Sequence, residues 1–311
     1  MRFVRVRSGL AEAQDHATVF ACDAAGLPHL RTGDVDAPVF YRSAVKPFQA
    51  TIATETGLEL ASEHLAIACA SHGGYPAHLA GVAAILEHSG LGARALQCPA
   101  AWPLAPQAQA LVLHRGQQSP RRIFHNCSGK HAAMLAACIT AGWSTDDYRS
   151  PDHPLQRRII DLISDVTGVA AEPIGIDGCG APAVRGTVRG LARAFGRLTS
   201  ETRYEGVATA MSRFPALVAD NVRGDGRLGA WWGGPVKVGA MGIIAISRNG
   251  VGIVAKSDAG SGDVAVAAVI RTARNLGLLS PVADEALAEV AAPPVLGGGR
   301  PVGELTTANE G

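Results

Sequence analysis

Two serines and the lysines that could take their protons are where this chain has the capacity for chemistry. In Arg42-Ser43-Ala44-Val45-Lys46-Pro47-Phe48-Gln49-Ala50, Ser43 stands three residues before Lys46 and a proline follows directly. Pro47 lacks an N–H and is tolerated in the first turn of a helix, so a helix running on through Gln49 and Ile52 has to begin close to Ser43. A hydroxyl there feels the positive end of the helix dipole, and a lysine one turn on can share its face. Ser-x-x-Lys acyl enzymes are built this way, with a neutral lysine as base once burial or a neighbouring charge such as Arg42 or Lys256 lowers its pKa. Taken alone, the same spacing also describes a capping serine and a solvated lysine. The second serine lies in Ala70-Ser71-His72-Gly73-Gly74, at the expected end of a helix. Ser71 and His72 point apart as sequence neighbours, which leaves Ser71 to meet a group from another segment. Lys256, in the strand pattern Ile253-Val254-Ala255-Lys256-Ser257, is costly there unless paired or functional, and reads either as a paired structural lysine or as a second base facing Ser71 or Ser43.

Two of the six cysteines have unusual neighbours. Cys127 opens a helix in Asn126-Cys127-Ser128-Gly129-Lys130-His131, where the helix terminus and the adjacent Lys130 and His131 favour its thiolate. Cys179 is flanked by glycines in Gly175-Ile176-Asp177-Gly178-Cys179-Gly180-Ala181-Pro182, which lets the backbone approach a ligand closely or turn sharply. The pair could give two thiolates to one zinc, completed by His131, Asp177 or an unusual lysine ligand, or could be two buried free thiols. The Gly-Lys step at 129–130 lacks the upstream glycine of a P-loop, which excludes that mode of nucleotide binding. Cys22, Cys69, Cys98 and Cys138 sit in apolar, alanine-rich surroundings and read as small core residues.

The elements that must position these groups can be read from periodicity. Strands are expected over 2–7, 17–22 and 39–41, and helices over 44–56, 61–70, 76–89, 106–114, 129–141, 154–166, 182–196 and 202–213. Asn249-Gly250 between apolar runs predicts a hairpin of strands 241–247 and 251–257, followed by a helix from Val264 to about Leu278. Trp231-Trp232 falls in a predicted loop. Strands at both ends and helices between imply an α+β fold: one antiparallel sheet assembled from the two termini and packed with a large helical block. The expected organisation is a single domain over 1–311, with the sheet from about 1–42 and 235–280, the helical block over about 43–234, and a loosely held tail over about 295–311 around Gly297-Gly298-Gly299.

Composition sets the bounds. The protein has 311 residues, 47% hydrophobic and 18% charged, enough for a substantial core and unlike a disordered segment. A net charge of +1, from 28 basic and 27 acidic side chains without any dominating patch, makes nucleic acid and anionic membrane poor partners. The first residues alternate charged and apolar, a strand pattern unlike a signal peptide, and no apolar run reaches the roughly 20 residues that span a bilayer. A soluble, cytoplasmic protein with reduced thiols is expected.

Taken together, these segments resemble the asparaginase II family of the Rhizobium type, the thermolabile L-asparaginases. The matches are Arg42-Ser43-x-x-Lys46-Pro47-Phe48-Gln49-Ala50, Ala70-Ser71-His72, Asn126-Cys127-Ser128-Gly129-Lys130-His131-Ala132, the stretch Gly175 to Pro182 and the strand bearing Lys256, in family order along nearly the whole sequence. The resemblance implies a homodimeric hydrolase that turns the small molecule L-asparagine into L-aspartate and ammonia, on a fold similar to serine β-lactamases. It implies two serine–lysine pairs, Ser43 with Lys46 and Ser71 with Lys256, with Ser43 as nucleophile. It further implies a zinc, not essential for turnover, held by Cys127, Lys130 and Cys179, with Arg42, His131 and Asp177 supporting substrate binding beside it. Two positions depart from the family pattern: Tyr75 where a glutamate is expected, and Met241 where an acidic residue is usual. Both losses weaken recognition of a substrate ammonium, which keeps open a related amidase or β-lactam-recognising acyl enzyme, and a non-catalytic zinc-organised binding protein.

Overall fold

The computed structural model describes residues 1–308. Its centre is an antiparallel sheet in the strand order β11-β12-β1-β2-β10-β9-β8, with β3 pairing a further stretch of β2. The strands come from the two ends of the sequence: β1 (Arg2–Arg7), β2 (Leu10–Cys22) and β3 (Pro28–Thr32) from one, with β8 (Val236–Gly239), β9 (Ile243–Arg248), β10 (Val251–Ser257), β11 (Pro294–Gly297) and β12 (Arg300–Thr307) from the other; the periodicity predicts β1, β2, β9 and β10 among them. Between them lie two short strand pairs, β4 (Pro38–Phe40) with β7 (Arg185–Thr187), and β5 (Gly175–Ile176) with β6 (Pro182–Ala183).

Period-two alternation splits the core into two layers. Phe20, Ile243, Ala245 and Val254 face the helical block, while Val19, Ala21, Ile244, Ile246, Ile253 and Ala255 face the helix Gly262–Asn275 on the other side. The block is built around the helix Ser128–Ala141, buried along its length from Ser128 to Cys138. That burial depends on close approach. A Cβ on Gly129 would stand 2.2 Å from the carbonyl oxygen of Ile67, so the helix Ser62–Ala68 can touch only where residue 129 has no side chain.

Three expectations are corrected. The tail is not loose: the glycines at 297–299 form a hairpin turn, with Gly298 and Gly299 at positive φ, and β12 pairs with β1 while Val295 and Leu305 are buried. Only positions 309–311 of the predicted tail lie outside the described residues. The segment 182–187 is largely extended, and the helix expected from 182 starts at Val188. Trp231 and Trp232 end a helix, Gly224–Trp232, and Trp232 is buried with its indole N–H donating to the Ser247 carbonyl at 2.9 Å. Among the described residues no helix is long and apolar enough to cross a membrane.

Candidate active site

Ser43 lies just beyond a forced turn. Arg42 takes φ of +51°, a conformation uncommon for any residue but glycine, and swings the backbone from β4 into a single 3-10 turn, Arg42–Val45, that runs into the helix Lys46–Thr54. Pro47 is in the first turn of that helix, as its missing N–H requires. Ser43 does not cap it; the N-cap is Val45 and makes no side-chain bond. Among the described residues the Ser43 hydroxyl has no hydrogen-bond partner, and it opens into a cleft of about 460 Å³ that also exposes Ser71, Asn126, Arg223, Asp225 and Met241.

Lys46 points across to the other serine. Its amine donates to Ser71 Oγ at 3.0 Å and to the Ala70 carbonyl, and the residue is fully buried. A second buried amine, Lys237 Nζ, reaches the same oxygen at 2.7 Å and the Val238 carbonyl at 2.9 Å. Ser71 is fixed from behind: its N–H donates to the Val218 carbonyl, and its own carbonyl accepts from the Arg223 guanidinium at 2.8 Å. Burial pulls Lys46 below the ordinary lysine value, and it pulls Lys237 far below, with the nearby charge of Lys46 adding to the effect. Both therefore approach the neutral state a base needs.

The second lysine is thus Lys237, and Lys256 does not reach Ser71. Both face the helical block, since Lys237 pairs with Ala245 and Lys256 with Ile243, residues of that layer. Lys256, however, is on β10, two strands in from β8, a displacement of about 10 Å at ordinary strand spacing. Its amine folds back onto the Ser257 carbonyl. The signal that separates them is the pattern Lys237-Val238-Gly239, a lysine two residues before a glycine on a strand, which parallels the K-T-G element accompanying S-x-x-K in serine β-lactamases. Arg223, Asp225 and Asn126 are further cleft residues that sequence reasoning did not single out.

The glycine-flanked cysteines do converge. The Cys127 and Cys179 side chains are close enough to couple: Cys127 Sγ donates to Asn126 Oδ1 at 3.1 Å, and the influence of each thiol on the other pulls the Cys127 pKa well down and pushes that of Cys179 up. Both Lys46 and Lys130 are near enough to feel the charge of the two cysteines, which favours the protonated amine in each. Asp177 joins them, its Oδ2 accepting from Cys179 Sγ at 3.5 Å and lying 3.9 Å from Lys130 Nζ, while its Oδ1 accepts from Arg42 Nε at 2.6 Å. Burial disfavours charge on both Asp177 and Lys130, but the cations Lys130 and Arg42 outweigh it for the carboxylate, and the thiolates and Asp177 outweigh it for the amine. Two thiols and one amine gathered around Asp177 form a donor set whose chemistry fits a borderline-soft cation such as zinc, once the amine gives up its proton. Among the described residues no three His, Cys, Asp or Glu side chains are placed to hold a metal, so the set depends on Lys130. His131 lies behind it and off the cleft, fully buried and neutral, with Nδ1 on the Tyr148 hydroxyl at 2.7 Å. Tyr75 N–H donates to His78 Nδ1 at a helix start, and Met241 lies on the cleft lip, 64% exposed.

An unpaired serine hydroxyl on a turn at positive φ, and a serine bonded to two buried lysines, thus open into one cleft. The protein belongs to the L-asparaginase II family, whose model matches residues 4–307, and it is accordingly of the asparaginase type of amidohydrolase. Among solved structures it is similar to Mglu "in its native form" at 16% identity and TM-score 0.47, over 88% of this chain and 67% of that one. It is similar to Mglu "in its tris and glutamate form" at 16% identity and TM-score 0.47, over 88% of this chain and 62% of that one. No curated protein matches it significantly.

Proposed function

We propose that the protein hydrolyses the side-chain amide of L-asparagine to L-aspartate and ammonia through an acyl-enzyme on Ser43. The single observation that carries this reading is the Ser43 hydroxyl, unpaired and open to the cleft, one turn from a fully buried lysine that is already bonded to a second serine. Ser43 Oγ attacks the amide carbonyl and its proton passes to the Lys46 amine. The C–N bond breaks as the amine returns that proton, and ammonia leaves. Water then attacks the ester carbonyl, one of its protons is taken up through the Lys46–Ser71–Lys237 relay, and that proton is returned to Ser43 Oγ as the C–O bond breaks and aspartate departs. Arg42, the chain neighbour of Ser43 and held by Asp177, is the residue we assign to reading a substrate carboxylate. Cys127, Cys179 and Lys130 would hold a zinc ion, which when bound supplies a fixed positive charge beside the reacting groups.

A second reading makes Ser71 the nucleophile, because the two amines are on its oxygen rather than on that of Ser43. Its burial, 5% exposed, and its two existing bonds favour a relay role instead. The reaction is tested by ammonia release from L-asparagine with and without added zinc. Release in both conditions is expected, and absence of release from asparagine and from every related carboxamide would overturn the assignment.

A further inference from the structure

The cleft is built for something larger than asparagine. At about 460 Å³ it falls in the size range of sites for drug-sized ligands, and it runs from the two serines past the end of β8 to the start of the helix Gly262–Asn275. Its outer part is apolar. Leu104 and Met241 form the lips, 47% and 64% exposed, and Val238 and Val266 continue the wall inward.

A free amino acid brings an ammonium that needs a carboxylate, and each carboxylate in or beside the cleft already has an arginine or lysine within 4 Å, although Asp220 Oδ2 is buried without a hydrogen bond. Asp225 accepts from Arg223 through both oxygens at 3.1 Å, and Asp220, beside the cleft, lies 3.6 Å from the same guanidinium. Asp177 is held by Arg42 and Lys130. Asp263 is on the outer rim, largely exposed and 3.7 Å from Arg5. Met241 occupies the position between that rim and the serines with a thioether. It does so at φ of +63°, and its methyl end rests against Gly260. The free edge of β8 supplies what an amide would use. Ser247 N–H donates to the Pro235 carbonyl, so in this antiparallel register Val238 turns its own N–H and C=O away from β9; the C=O already accepts from Lys237 Nζ at 2.9 Å, which leaves the N–H, and the carbonyl's second lone pair, for an amide in the cleft.

We propose that this site accepts, and prefers, asparagine whose α-nitrogen carries an apolar acyl group, the acyl amide pairing with the β8 edge and the acyl tail lying between Met241, Leu104 and Val266. The inference rests on the carboxamide hydrolysis described above. Its chemistry is unchanged: water breaks the C–N bond of the β-carboxamide, ammonia leaves, and N-acyl-aspartate is the product.

The test compares kcat/KM for ammonia release from L-asparagine, N-acetyl-L-asparagine and N-hexanoyl-L-asparagine, using the full-length protein. The expected order is hexanoyl, then acetyl, then free asparagine, with acetyl at least tenfold above free asparagine and a gain of up to about threefold for each added methylene that the wall covers. Met241→Asp, which tolerates the left-handed backbone, is expected to move the ratio at least tenfold toward free asparagine, whereas Met241→Leu keeps the wild-type order. Turnover of free asparagine above both acylated compounds would overturn the inference and leave the amidohydrolase reading standing. Unchanged preference in Met241→Asp would also overturn it. Ammonia from none of the three compounds would remove both.

Discussion

Ser71 Oγ lies within hydrogen-bond reach of two buried amines, and two ammonium groups so close together would repel and lose their hydration at once. The lower-lying of the two is Lys237. Burial and the charge of Lys46 hold it well below 10.5, with Asp225 opposing only in part. In the unfolded state the same amine protonates near its ordinary value. Between the folded and unfolded pKa the unfolded state therefore binds the extra proton, and the buried amine costs more stability as pH falls from about 10.5. Lys237→Met is thus expected to reduce ammonia release by about 10² or more while raising the Tm at pH 7, with the Tm gain shrinking toward pH 10.5. Lys256→Met is expected to stay within a few fold of wild type. Steady-state assays and thermal melts across pH check both. The sequence reading selected Lys256 and passed over Lys237, because Lys256 stands in the longer and clearer strand pattern while the Lys237-Val238-Gly239 pattern is short. The choice is made by how far a strand lies from the sheet edge, a long-range property. Ser43, Lys46, Ser71, Cys127, Lys130, Asp177 and Cys179 were legible because each carries its local setting, a proline, a helix start or a pair of glycines, in its own segment.

The helix Ser128–Ala141 brings Cys127 and Lys130 to the site only because Gly129 allows contact with Ile67. Gly129→Ala places a methyl inside van der Waals distance of a backbone oxygen, which cannot move away as a flexible side chain could. It is expected to cost about 2 kcal/mol or more in stability and to displace the helix terminus that carries the thiol and the amine. Chemical denaturation should show a lower midpoint at unchanged slope, and ammonia release should fall in the variant. Alanine-rich amphipathic helices were readable from their 3.6-residue period. The short strands β8 and β11 were not, because so few residues give too little alternation to measure, and their glycines resemble linker sequence until β9 and β12 are seen beside them.

Across the whole molecule, the sheet is what joins the two halves of the site. Strands from both termini flank β10, so the turn bearing Ser43, near the amino terminus, is pressed against β8, nearly two hundred residues later. The hydrogen-bonded chain Lys46–Ser71–Lys237 thus exists only in the closed fold, and the antiparallel sheet with its helical block is the frame for the chemistry proposed for it. The assignment of Ser43 as nucleophile is tested most directly by quenching the enzyme in acid during turnover of asparagine and mapping the adduct by mass spectrometry. The account predicts an aspartyl ester on Ser43 that is absent from Ser43→Ala, which releases no ammonia above background. An adduct on Ser71, or full ammonia release by Ser43→Ala, would contradict it.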